Sequence, residues 1–166
     1  MPPLSPKPPF AGWRILIFAT IAMGLTGPGQ TIGVSVFIDH FADSLNLSKN
    51  AIAGGYAVGT LCGSLAMPTV GRWVDQYGVR RAMTIIATLF AGALFYMSGV
   101  QGIISLTIGF WFIRMLGQGS LSLVSNVAVS LWFEQRRGLA LGLTMTVSSA
   151  MMALVPVGLS FTIAQW

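Results

Sequence analysis

The sequence predicts an all-α, polytopic transmembrane helix bundle of about five spans. Composition is the first reason. Hydrophobic residues make up 54% of the chain, charged residues 8%, and mean hydropathy is +0.77. A soluble domain carries about 25% charged residues. The second reason is run length. Apolar stretches at about Trp13–Ile38, Ala51–Val70, Ala82–Gly99, Ile103–Leu131 and Leu139–Trp166 each approach or exceed the roughly 20 residues that cross hydrocarbon. The third is where charge falls. Seven of nine basic residues lie before the first run (Lys7, Arg14), between the second and third (Arg72, Arg80, Arg81) and between the fourth and fifth (Arg136, Arg137). The opposite connections hold Lys49, Asp39 and Asp43. This alternation supports five spans and puts the N-terminus in the cytoplasm of a cell (inner or plasma) membrane protein.

Five prolines within residues 1–9 predict a disordered, proline-rich segment over residues 1–12, ahead of a transmembrane domain over 13–166. Lys7 and Arg14 before an apolar run resemble a signal peptide, but the run continues to Ile38 without a small-residue cleavage site, so the first helix is retained. That helix is interrupted at Gly27-Pro28-Gly29-Gln30-Thr31. Proline removes a backbone donor and clashes with the preceding turn. The break reads either as an ordinary kink or as a cavity lining, because broken helices near the midplane line transporter sites. By helical spacing Gly24, Pro28, Thr31 and Ser35 share a face.

In the second run Gly55, Gly59 and Gly63 recur every fourth residue, as do Gly138, Gly142, Thr146 and Ala150 in the fifth. Small residues let helix backbones approach closely in lipid. Either face reads as bundle packing or as a seam along which helices slide. Cys62 reads as a small packed residue, and a lone cysteine excludes an internal disulfide.

The fourth run holds Arg114. A central arginine costs on the order of 3 kcal/mol on insertion scales, so it must face protein or water. Gln118, Ser122 and Ser125 follow at spacings that form one stripe with it on an α-helix. A guanidinium and neighbouring hydroxyls suit an anion, because the planar fork matches a carboxylate with two parallel bonds. A structural arginine bonded within the bundle is the competing reading. His40 reads as an interfacial polar residue, and Trp13, Trp111, Trp132 and Trp166 as interfacial aromatics. The sequence contains no nucleotide loop, catalytic triad or metal-ligand cluster. It therefore predicts no enzyme and no cofactor. The net charge of +5 sits in short connections rather than on a soluble face, which excludes nucleic acid as a partner.

Between the second and third runs lies Gly71-Arg72-Trp73-Val74-Asp75-Gln76-Tyr77-Gly78-Val79-Arg80-Arg81, with four of the thirteen charged side chains. It reads as a tight hairpin at the membrane surface. Its pattern, Gly-x-x-x-Asp-x-x-Gly-x-Arg-Arg, resembles the loop between the second and third helices of major facilitator superfamily transporters. Gln76 stands where that family usually has a basic residue. Trp132-Phe133-Glu134-Gln135-Arg136-Arg137-Gly138 and the Gly-Pro-Gly-Gln-Thr break are similar to the monocarboxylate porter and oxalate–formate antiporter branch. Arg114-Met115-Leu116-Gly117-Gln118-Gly119 approximates the fourth-helix motif, with its glycine displaced by one. Around Pro156 only that proline and Gly158 match the antiporter signature.

The resemblance implies about five spans of a six-helix half, lacking the sixth helix and the C-terminal half. It implies alternating-access transport of a small organic anion, monocarboxylate- or oxalate/formate-like, with a possible co-transported or exchanged ion. Substrate-binding residues are then Arg114, Gln118, Ser122, Pro28 and Thr31. Gly71, Asp75, Gly78, Arg80 and Arg81 form a gating loop against the missing half, without which the chain is not transport-competent. The alternative from another class is a self-contained small membrane protein that oligomerises through its glycine faces as a channel or scaffold.

Overall fold

The computed structural model describes residues 12–164. The proline-rich segment lies outside them except for Gly12, which is already helical. Seven α-helices are described: α1 (Gly12–Gly24), α2 (Thr31–Leu45), α3 (Lys49–Tyr77), α4 (Val79–Ser98), α5 (Ile103–Ile113), α6 (Ser122–Trp132) and α7 (Arg137–Ala164). A short 3-10 turn, Gly27–Gly29, joins α1 to α2, and a π-helical segment, Arg114–Leu121, joins α5 to α6. Among the described residues there is no strand.

Helices long and apolar enough to cross a membrane are Lys49–Tyr77, Val79–Ser98 and Arg137–Leu154. The first predicted span is divided into α1 and α2. The fourth is helical without a gap from Ile103 to Trp132. The exterior suits lipid rather than water: Leu65, Phe95 and Ile104 are 80%, 81% and 76% exposed. In hydrocarbon such exposure carries no hydrophobic cost, and small residues and hydrogen bonds take over the role of holding helices together.

The core forms where α3 and α4 pack along α5 and the π segment, around Ile52, Phe90, Leu106, Phe110 and Val124. A second, smaller core joins α1, α6 and α7 at Ala19, Val129 and Ala140. There Thr20 donates to Leu16 O at 2.7 Å and approaches Thr144 Oγ1 at 3.5 Å.

The charged hairpin is shorter than its composition suggested. α3 runs on to Tyr77 and α4 starts at Val79, so Gly78 alone makes the turn. Its φ of 78° and ψ of 153° lie in a region that is essentially glycine-only. Charge marks where hydrocarbon ends, and the helix continues past it. Cys62 is exposed rather than packed. It lies between Gly59 and Gly63 in sequence but on another face of α3.

Candidate functional site

Arg114 opens the π segment. Gly117 and Gly119 occupy its middle, and the Ser120 hydroxyl donates to Met115 O, five residues back, at 2.7 Å. π segments are rare and often mark functional sites. Neighbours fill the space that side chains would take. A Cβ on Gly117 would meet the Phe90 ring at 2.6 Å, and one on Gly119 the Met67 sulfur at 2.6 Å.

The guanidinium lies against α3. Arg114 Nε donates to Thr60 Oγ1 at 3.1 Å, and its central carbon sits 5.0 Å from the Tyr56 ring centroid. Thr60 gives its own hydrogen to Tyr56 O at 2.8 Å, which leaves its lone pairs to accept from arginine. Tyr56 Oη is joined to Thr31 Oγ1 at 2.9 Å, and its ring meets Phe110 edge-on at 5.4 Å. Arg114 thus has neutral partners. Among the described residues no carboxylate pairs with it, the one ion pair being Lys49–Asp39 at 2.6 Å.

Between α3 and the π segment lies a cleft of about 250 Å³, lined by Thr60, Gly63, Ser64, Met67, Arg114, Gln118 and Gly119. Two groups at the cleft are buried without a protein partner: Arg114 Nη1 and Gln118 Oε1. A half-turn of the amide exchanges oxygen for nitrogen, so Gln118 can offer an acceptor or two donors. An unpaired buried polar group is costly, and each such group asks for an explanation.

The sequence matches the Major Facilitator Superfamily over residues 15–166. The chain belongs to this superfamily. It is also similar to monocarboxylate transporter 9 of Pongo abelii, Gallus gallus and Mus musculus, at 28% identity over 144 residues in each case. Those 144 residues are 86% of this chain and 28% of each relative. The chain therefore spans about 28% of the length of the curated relatives it matches.

As a superfamily member, the chain distributes its predicted site residues unevenly. Arg114 and Gln118 share the cleft, and Thr31 reaches Arg114 through Tyr56. Ser122 does not line the cleft, and Ser125 is fully buried with its hydroxyl unpartnered. The α-helical spacing that grouped them with Arg114 fails because the π segment turns less per residue, so the stripe swings off the cleft. Pro28 lines a different space, an apolar groove of about 1420 Å³ that also includes Gly24, Arg14 and Arg80. The 3-10 turn and extended Gln30 (ψ 158°) break the register, so Thr31 leaves the face of Gly24 and Pro28. Trp111 sits within the run Ile103–Trp132, its backbone against Gly59 and its indole N–H buried.

In the 71–81 motif, Asp75, Arg80 and Arg81 are exposed, and no ion pair joins them among the described residues. A Cβ on Gly71 would meet nothing within 4 Å. Sequence reasoning missed Tyr56 and Thr60. Their signal was present: they stand four residues apart on one face of α3, with Gly59, the small residue that allows close approach, beside them.

Proposed function

We propose that the chain forms part of a secondary transporter, not an enzyme, that carries a small organic anion by alternating access, with Arg114 as the cation that receives the anion. The observation that carries this reading is Arg114, which lines a cleft with Gln118 and whose Nη1 is buried and unpartnered. An uncompensated cation at membrane depth is functional by default, because holding one there is costly. A monocarboxylate substrate fits the names of the relatives, and the planar fork suits a single carboxylate.

The test is substrate binding by the complete reading frame. Arg114→Lys is expected to weaken anion affinity about tenfold or more, because lysine cannot form the two-bond fork. Arg114→Ala is expected to abolish binding while leaving assembly intact. Undiminished anion affinity in Arg114→Ala would overturn the site. A near-normal lysine variant beside an unstable alanine variant would make Arg114 structural.

The gating reading rests on exposed Asp75, Arg80 and Arg81, whose charges are available to contacts outside the described residues. Asp75→Asn should impair uptake without loss of expression, and unchanged uptake would reduce the motif to a topology signal. Orientation rests on the basic connections. Cysteines at exposed Gln76 and Gln135, in a Cys62→Ala background, should resist impermeant thiol reagents in intact cells. One observation favours the self-contained oligomer instead: Gly138, Gly142, Thr146 and Ala150 all face outward on α7. Crosslinking from Gly142→Cys into a second copy of the same chain would support that alternative.

A further inference from the structure

Resting on the anion reading of Arg114, we propose that Tyr56 is a positioning residue. Its ring and its Thr31 bond hold the guanidinium so that only the terminal-nitrogen edge meets the anion. A guanidinium can present two bidentate edges, one through Nε and a terminal nitrogen, the other through both terminal nitrogens. The Nε edge is closed, because Nε donates to Thr60 at 3.1 Å. Thr60 cannot release it by turning its own hydrogen toward the arginine, since that hydrogen bonds Tyr56 O at 2.8 Å. The guanidinium carbon also lies over the Tyr56 ring, 5.0 Å from its centroid. This distance is within the reach of a cation–π contact. What remains is the terminal-nitrogen edge, whose Nη1 is buried and unpartnered, on a side chain that lines the same cleft as Gln118.

The ring cannot drift from this position freely. Phe110, fully buried, meets its edge at 5.4 Å, and the hydroxyl is tied to Thr31 Oγ1 at 2.9 Å. Thr31 is the first residue of α2, directly after the break in the first span. The orientation of Arg114 therefore depends on where the second half of the broken span starts. Neither Tyr56 nor Thr31 needs to touch the anion for their bond to set its affinity.

The experiment uses two readouts on the full-length transporter in detergent. The first needs no substrate: the rate at which phenylglyoxal modifies Arg114, followed by peptide mass spectrometry. Tyr56→Leu, which removes ring and bond, should speed modification about tenfold. Tyr56→Phe keeps the ring and Thr31→Val keeps the tyrosine, yet each breaks the same bond. Each should speed modification about threefold, and the double variant no more than either alone. The second readout is protection of Arg114 by propionate, with uncharged propionamide as the control. The propionate concentration giving half-protection should rise about fivefold in Tyr56→Phe and equally in Thr31→Val. Modification rates unchanged in all three variants would overturn the positioning role. So would additive effects of the two bond-breaking variants. If rates change as expected but propionate never protects the parent protein, the clamp exists without an anion site, and the transport reading of Arg114 fails with the proposal's final step. Melting temperatures of Tyr56→Phe and Thr31→Val within a few degrees of the parent would exclude unfolding as the cause.

Discussion

Two helices carry the same small-residue spacing and meet opposite fates. On α3, Gly55, Gly59 and Gly63 are buried against α5 and the π segment. A Cβ on Gly59 would lie 2.8 Å from Trp111 N, a backbone atom that cannot move aside. On α7, Gly138 and Gly142 meet nothing within 4 Å, and Thr146 and Ala150 beside them are exposed. A spacing of four says that close approach is possible. Whether a partner occupies the face depends on what the rest of the bundle brings there. The consequence at Gly59 reaches the candidate site: its closeness sets Tyr56 and Thr60 against Arg114.

The comparison breaks most sharply under a large side chain. Gly59→Leu should cost about 3 kcal/mol, since overpacking pushes two spans apart. Gly142→Leu should stay within about 0.5 kcal/mol, as for an uninvolved surface. Thermal unfolding in detergent would measure both. An equal loss at Gly142 would mean that the α7 stripe is covered in the membrane.

A glycine with open space around it can still be irreplaceable, and Gly78 separates space from backbone. Its φ of 78° admits no L side chain comfortably. Gly78→Ala should therefore destabilise by about 2 kcal/mol despite meeting no neighbour. A neutral Gly78→Ala would show that the turn has another accessible conformation.

Within the docked stripe the cost should be lower at Gly55 and lowest at Gly63, on either side of Gly59. A Cβ on Gly55 would meet Thr107 Oγ1, a rotatable group, at 2.6 Å, whereas one on Gly63 would find Met115 N at an ordinary 3.4 Å. Gly55→Ala is expected to cost about 1 kcal/mol, and Gly63→Ala to resemble Gly142→Ala. Melting temperatures in the reverse order would contradict the parallel packing of α3 on α5.

The smallest effect belongs to the junction of α2 and α3. Lys49 and Asp39 pair at 2.6 Å but are 69% and 75% exposed. The hydrogen bond to Asp39 raises the lysine above its usual range. Any stability from that shift is present below the ordinary lysine range and disappears as pH rises through the raised value. Lys49→Gln should leave the melting temperature unchanged at neutral pH, because solvent screens such pairs.

Much of the fold was legible because lipid imposes simple rules. Apolar run length located all five helical runs, and the Gly-Pro-Gly break was readable from proline's missing donor. The charged segment 71–81 misled on helix length, because charge reports the polarity of the surroundings and not the backbone conformation. At the site, Arg114 stood out by the cost of its charge. Its α-helical stripe did not survive the π segment, which a spacing rule built on 3.6 residues per turn cannot anticipate. Pro28 and Thr31 separated for a similar reason, since a 3-10 turn changes the rotation between them.

By itself the sequence determined the membrane class, the number of helical runs, the break in the first and the arginine inside the fourth. These follow from local free energies: transfer of apolar surface, the backbone limits of proline and glycine, and the cost of an arginine in hydrocarbon. Only the tertiary structure decided which glycine face is filled. It also decided that Arg114 opens a π segment and that Thr31, Tyr56 and Thr60 gather around it. Those outcomes depend on contacts between residues far apart in the chain, such as Arg114 with Thr60, whose geometry is set jointly by every helix that packs between them.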